Sequence, residues 1–266
     1  MGLSGKLVKN ELSNLNLKGF VKNLWAGVRI AKPPVFIVGC GHSGTTMLRH
    51  LMGLHRNLYA PPYESRIFLH PAIKIRLAAA VWSFAAISNG KSRWVEKTPA
   101  HIYHLDRIFK CYPDAKVILL IRDGRDVAVS LNKRLGDFEQ SVRRWVEDNK
   151  AGEPYWSHPQ VMKLNYEALV ADFENQMKAI LAFIGEPEDK TLLSFSEKKS
   201  SEEPSEGEAS REGARPNELR DAQIQRGLYN GSGKWVAELS EEEKLVFKNM
   251  AGQMLIEYGY ATDSNW

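Results

Sequence analysis

The chain has 266 residues, 43% of them hydrophobic and 26% charged, enough to bury a full core in one α/β domain or one with a small subdomain. A formal net charge of +4 suits an anionic ligand, but no Lys/Arg-rich run or zinc-finger spacing supports a nucleic-acid partner. Two cysteines, Cys40 and Cys111, exclude a disulfide framework, and no stretch approaches the roughly 20 apolar residues of a membrane span.

Residues 1–17 lack the apolar core and cleavage site of a secretory signal, so the chain reads as cytoplasmic. Across residues 1–30, Leu7, Leu12, Leu15, Phe20, Leu24 and Val28 alternate with Lys6, Lys9, Lys18, Lys22 and Arg29. That predicts an amphipathic basic segment packed on the main domain, residues 31–266, with a membrane-surface role as the alternative. Lys32-Pro33-Pro34 breaks it. The apolar run Val35, Phe36, Ile37, Val38 predicts a buried strand, followed by a turn carrying Gly39, Gly41 and Gly44. Met47, Leu48, Leu51 and Leu54 then give helical spacing from Thr45.

Beyond a second break at residues 60–63, an alanine-rich helix is expected over 71–88, a short extended segment over 94–98 and a helix over 101–109. Residues 116–121, KVILLI, read as a fully buried strand. Helices follow over 126–135, 138–149 and 169–184, with another strand at 161–164. Strands alternating with helices imply an α/β fold with a central parallel sheet flanked by helices. Residues 194–217 are rich in Glu, Ser, Lys and Gly and read as a polar mobile loop or lid. Ser240, with Glu243 three residues on, opens a last helix over 241–258, closed by Gly259.

The strand, glycine turn and helix start at residues 35–49 are suited to an anion. Gly41 and Gly44 let backbone N–H groups approach it, the helix dipole favours negative charge, and Ser43, Thr45 and Thr46 add hydroxyls. Gly39 and Gly44 have the spacing of an NTP-binding P-loop, but Thr45 stands where that loop needs lysine. This weighs against a nucleotide kinase or NTPase. A second phosphate site follows the strand at 116–121. Arg122 at its end and Ser130 two helical turns on are spaced to converge on one phosphate, and Arg134 lies further along the same helix. Arg125, Asp123 and Asp126 read either as part of it or as a structural ion-pair cluster.

These two motifs resemble the sulfotransferases that use 3′-phosphoadenosine 5′-phosphosulfate (PAPS). Their phosphosulfate loop ends Ser-Gly-Thr-Thr, here Ser43 to Thr46, and their 3′-phosphate segment reads Arg-Asp-x-Arg-Asp-x-x-x-Ser, here Arg122 to Ser130. The resemblance spans about residues 34–260 and implies a P-loop-like fold, PAPS as sulfuryl donor, adenosine 3′,5′-bisphosphate as product and no metal. By the same analogy Arg122, Ser130 and Arg134 take the 3′-phosphate. A looser likeness at 225–235 brings in Arg226 and Gly227, and Tyr166 stands near the adenine.

Glu64-Ser65-Arg66 resembles the Glu-Thr-Arg of tyrosylprotein sulfotransferases, which implies Glu64 as catalytic base, beside Arg66 on the acceptor side. A carboxylate there takes the proton of the attacking hydroxyl. Lys97 resembles the family lysine that stabilises charge on the leaving phosphate. Many relatives carry Arg or Lys where this chain has His42, so the loop depends on imidazole for help there. His42, and more remotely His101 or His104, rival Glu64 as base. The implied acceptor is a hydroxyl, or an amine, of a small molecule or carbohydrate; protein tyrosine sulfation and a non-catalytic bisphosphate-binding protein are the alternatives.

Overall fold

The computed structural model describes residues 32–197 and 230–266. The segment 1–30, residues 198–217 of the polar loop, Arg226 and Gly227 lie outside the described residues.

Five strands form one parallel sheet, β1 (Val35–Gly39), β2 (Leu58–Tyr59), β3 (Arg93–Lys97), β4 (Lys116–Ile121) and β5 (Val161–Asn165), in the order β2-β3-β1-β4-β5. The helices between them are α1 (Thr45–Leu54), α2 (Ala72–Ser88), α3 (Leu105–Cys111), α4 (Gly124–Leu135) and α5 (Phe138–Gly152). After β5 come α6 (Tyr166–Ala171), α7 (Phe173–Ile184), α8 (Lys190–Leu193), α9 (Trp235–Glu238) and α10 (Glu241–Glu257). Three of the strands stand where strands are expected, over 35–38, 116–121 and 161–164, and β3 falls on the short extended segment expected over 94–98. The edge strand β2 was not expected, because two residues carry no readable period.

Alternation along β1 and β4 splits the core between the two sheet faces. Ile37, Ile118 and Leu120 face Leu48 and Leu51 of α1 and Met177 and Ile180 of α7. Phe36, Val38 and Leu119 face Trp94, Ile102 and Leu105. A third cluster, centred on Trp145 and Phe247, joins α4, α5 and α10. The helix expected over 101–109 begins as a 3₁₀ segment, Pro99–His104, before α3. The one expected over 169–184 is two helices broken at Asp172, whose φ of −133° lies outside the helical region. The capping box of α10 forms as its sequence predicts, Ser240 Oγ accepting from the Glu243 N–H while Glu243 accepts from the Ser240 N–H. Among the described residues no helix is long and apolar enough to cross a membrane.

Candidate functional site

The sheet register gathers the polar candidates on one edge. Ile37 pairs with Lys97, Gly39 with Leu120 and Ile121 with Asn165. The loop after β1, Lys97 closing β3, Arg122 past β4 and Tyr166 past β5 therefore share the carboxyl edge. Strand order reverses about β1, and open parallel sheets bind ligands outside the carboxyl ends at such a point.

In the loop after β1, His42 at φ 67° and Gly44 at φ 91° both adopt the left-handed region. Gly44 has a second reason to lack a side chain, since a Cβ there would stand 2.5 Å from Cδ2 of Tyr166. The first turn of α1 carries no acidic residue, and Gly44, its N-cap, offers no capping side chain. The opening N–H groups of α1 are left for solvent or an anion. Ser43 is fully buried with its hydroxyl unpartnered, Thr45 is buried, and Thr46 accepts from Lys97.

Arg122 and Ser130 do meet, at His42. Ser130 Oγ lies 2.7 Å from His42 Nδ1, and Arg122 donates to the His42 carbonyl at 3.0 Å. The other arginine amino group donates to the Gly231 carbonyl at 2.5 Å, and the guanidinium stacks 4.6 Å over the Tyr166 ring. Gly231 in turn donates to the Tyr166 hydroxyl at 3.2 Å, so residues 230–233 close over Arg122. Burial raises the Tyr166 phenol above its ordinary pKa. Arg134, one turn beyond Ser130, is exposed on the last turn of α4.

Arg125, Asp123 and Asp126 tie the C-terminal residues to α4, and Asp126 also lies 3.8 Å from Arg122. Arg125 pairs with Asp123 at 2.7 Å, donates to the Tyr260 carbonyl and lies 3.8 Å from the Trp235 ring centre. Asp126 accepts from the N–H groups of Gly233 at 2.8 Å and Trp235 at 3.0 Å. Burial raises its carboxyl above the ordinary range against those donors. These three residues fasten the C-terminal loop onto α4.

Lys97 joins the loop to Glu64. Its ammonium sits 2.7 Å from Glu64 Oε1 and 3.2 Å from Thr46 Oγ1. Lys97 is 2% exposed while the Glu64 side chain keeps 31% of its surface. Burial lowers the Lys97 pKa despite the neighbouring carboxylate. Arg66 is exposed at φ 50° and donates its N–H to Thr98 Oγ1 at 3.2 Å.

Sequence reasoning missed the group that holds this segment. Glu96, 1% exposed, accepts from Ser65 Oγ at 2.7 Å, Thr98 Oγ1 at 2.6 Å and His101 Nδ1 at 2.9 Å. Phe68 N–H lies 3.4 Å from the other nitrogen of His101. Both nitrogens of His101 are thereby engaged in fixing residues 65–68, away from any acceptor, and His104 is half-buried at the start of α3. The available signal was a carboxylate inside an apolar strand, which is stable only when paired.

Burial alone would raise the Glu96 carboxyl, but His101, Thr98 and Ser65 outweigh it and hold the group below its ordinary value. A depressed folded pKa contributes stability above the unfolded pKa and loses it as pH falls through the folded value. Wild type is therefore expected to lose stability over acid pH through this group. Glu96→Gln should be less stable near neutrality and show a flatter acid limb, read by urea unfolding at a series of pH values.

Three buried donors have no hydrogen-bond partner, Arg122 Nε and the hydroxyls of Ser43 and Ser232, and each serine follows a residue whose carbonyl accepts from Arg122. Buried polar groups are nearly always paired, and a convergence of unpaired donors with a guanidinium and a helix N-terminus is what a phosphate or sulfate ligand requires. Among the described residues no group of three or more His, Cys, Asp or Glu is placed to hold a metal ion.

Comparison with known proteins places these features in context. A model described as the sulfotransferase family matches residues 69–190. Nodulation protein NoeE of Sinorhizobium fredii is 33% identical over a match covering 38% of this chain and 31% of that protein. The curated relatives are matched over about a quarter to just over half of their own lengths. Among solved structures, a sulfotransferase domain from the curacin biosynthetic pathway superposes with a TM-score of 0.59 at 17% identity, over 84% of this chain and 98% of that one. Mouse sulfotransferase SULT7A1, complexed with PAP, gives 0.51 at 17% identity over 85% and 89%. These structures share the fold.

Proposed function

We propose that the chain moves a sulfuryl group from PAPS to a hydroxyl, or an amine, of a small-molecule or carbohydrate acceptor, a reading supported by the match of the sulfotransferase-family model to residues 69–190. The observation that carries this reading is Lys97, buried between Thr46 of the anion loop and Glu64. One cation there touches both the ligand loop and a carboxylate placed to act as base.

When bound, PAPS would supply the sulfuryl group and a leaving phosphate. The N–H groups of α1 with Ser43, Thr45 and Thr46 would hold the phosphosulfate end, and Arg122 with Ser130 would hold the 3′-phosphate. Lys97 sets a fixed positive charge against the developing charge on the departing oxygen, which lowers the barrier more than it aids binding. Lys97 occupies Glu64 Oε1, and the partly exposed carboxylate keeps its second oxygen to accept the acceptor's proton. His101 is tied at both nitrogens, which favours Glu64 over it as base, while His42 engages Ser130 through Nδ1. Arg66, exposed two residues beyond Glu64, is available to an acceptor.

Calorimetric titration with adenosine 3′,5′-bisphosphate, beside ATP with magnesium and adenosine 5′-monophosphate, tests the reading. Tight binding of the bisphosphate alone is expected. Preference for ATP, or no binding, overturns it.

A further inference from the structure

Helix α2 carries a face that sulfuryl transfer leaves unused. Of residues 72–77 only Ile75 is buried, whereas Ile73 is 72% and Leu77 50% exposed, and Leu69 just ahead of the helix is 56% exposed. At about 100° per residue, Ile73 and Leu77 form one stripe facing away from Ile75, and the exposed Lys74 and Arg76 fall about 80° to either side of its midline. No Asp or Glu occurs between Arg66 and Arg93. Arg107 of α3 adds another cation just ahead of the helix, donating to the carbonyls of Phe68 and His70. Asp114 lines, with Arg76, a cavity on the flank of this helix.

We propose that this face of α2 docks on an anionic lipid surface. Exposed Ile and Leu flanked by cations, with acidic residues absent, is the pattern of a helix lying in a membrane interface: apolar side chains enter the acyl boundary while Lys and Arg reach lipid phosphates. Charge complementarity selects this occupant over a second copy of the chain, whose identical cationic face would repel. A peptide partner needs a groove, and the cavity beside α2 opens on the flank of Arg76, Ala79 and Ser83, not beneath the stripe. Docking requires no PAPS, so it stands or falls apart from the sulfuryl-transfer reading.

Co-sedimentation of the full chain with vesicles of phosphatidylcholine containing phosphatidylglycerol, and with phosphatidylcholine alone, tests the proposal. Expected is binding to the anionic vesicles that weakens with salt. The charge reversal K74E/R76E should weaken it by at least roughly thirtyfold, and I73E/L77E should abolish it, both variants keeping the parent's gel-filtration volume and melting temperature. Absence of binding, or binding that survives both variants and so belongs to another part of the chain, overturns it. A dimer that I73E/L77E dissociates, or retention on immobilised polyglutamate with none on vesicles, overturns it in favour of a protein partner.

Discussion

Glu64→Gln is expected to lower kcat for sulfuryl transfer by about 10²–10⁴-fold, the range associated with loss of a general base. The amide keeps the volume of the side chain, and its carbonyl oxygen still accepts from Lys97, so the bisphosphate site and the fold should be unaffected. Steady-state turnover of PAPS with a panel of phenolic and carbohydrate acceptors, set beside bisphosphate titration of the same variant, separates the two effects. An unchanged kcat would move the base to His42. Bisphosphate binding by the wild type without turnover of any acceptor would favour a non-catalytic nucleotide-binding protein.

Arg122→Ala should weaken bisphosphate binding roughly 10- to 150-fold, since charge-assisted hydrogen bonds contribute about 1.5–3 kcal/mol. The guanidinium also holds the His42 and Gly231 carbonyls, so part of the loss comes through a loosened loop. Arg122→Lys separates the contributions. A lysine keeps the positive charge but cannot bridge two carbonyls and a phosphate together, so its affinity should fall between those of the parent and the alanine variant. Equal affinity in all three proteins would remove Arg122 from the ligand site. Melting temperature, read in parallel, reports the structural share.

Most of the fold was legible because its strands are short apolar runs bounded by breakers. The segments at 35–38, 116–121 and 161–164 are long enough to show burial, and the sheet places them in parallel register. The cap of α10 was legible as well, because it depends only on Ser240 and Glu243, three residues apart. Where a boundary depended on packing, the reading slipped. The break at Asp172 lets Leu169 and Phe173 enter the same core from two helix axes, and nothing in the local spacing announces it.

The candidate site divides along the same line. By itself the sequence determined which residues carry charge and flexible backbone: the glycine turn at 39–44, the Arg122 to Ser130 spacing and the Glu64-Ser65-Arg66 segment are all local patterns. It also determined what is missing, the lysine of an NTP-binding loop. The tertiary structure decided how those residues meet. Lys97 reaches both Glu64 and Thr46 because β3 lies beside β1 with Ile37 opposite Lys97. Arg125, Asp123 and Asp126 serve the C-terminal loop, although their sequence neighbours Arg122 and Ser130 meet at His42. Glu96 and His101 became structural partners of residues 65–68 because the end of β3 and the 3₁₀ segment after it bury them together. The physical reason is separation along the chain: a cap or turn is closed by residues a few positions apart, whereas the contacts of Lys97 with Glu64 and Thr46, of Arg122 with His42 and of Asp126 with Gly233 each span tens of residues and exist only once the sheet has brought the strand ends to a common edge.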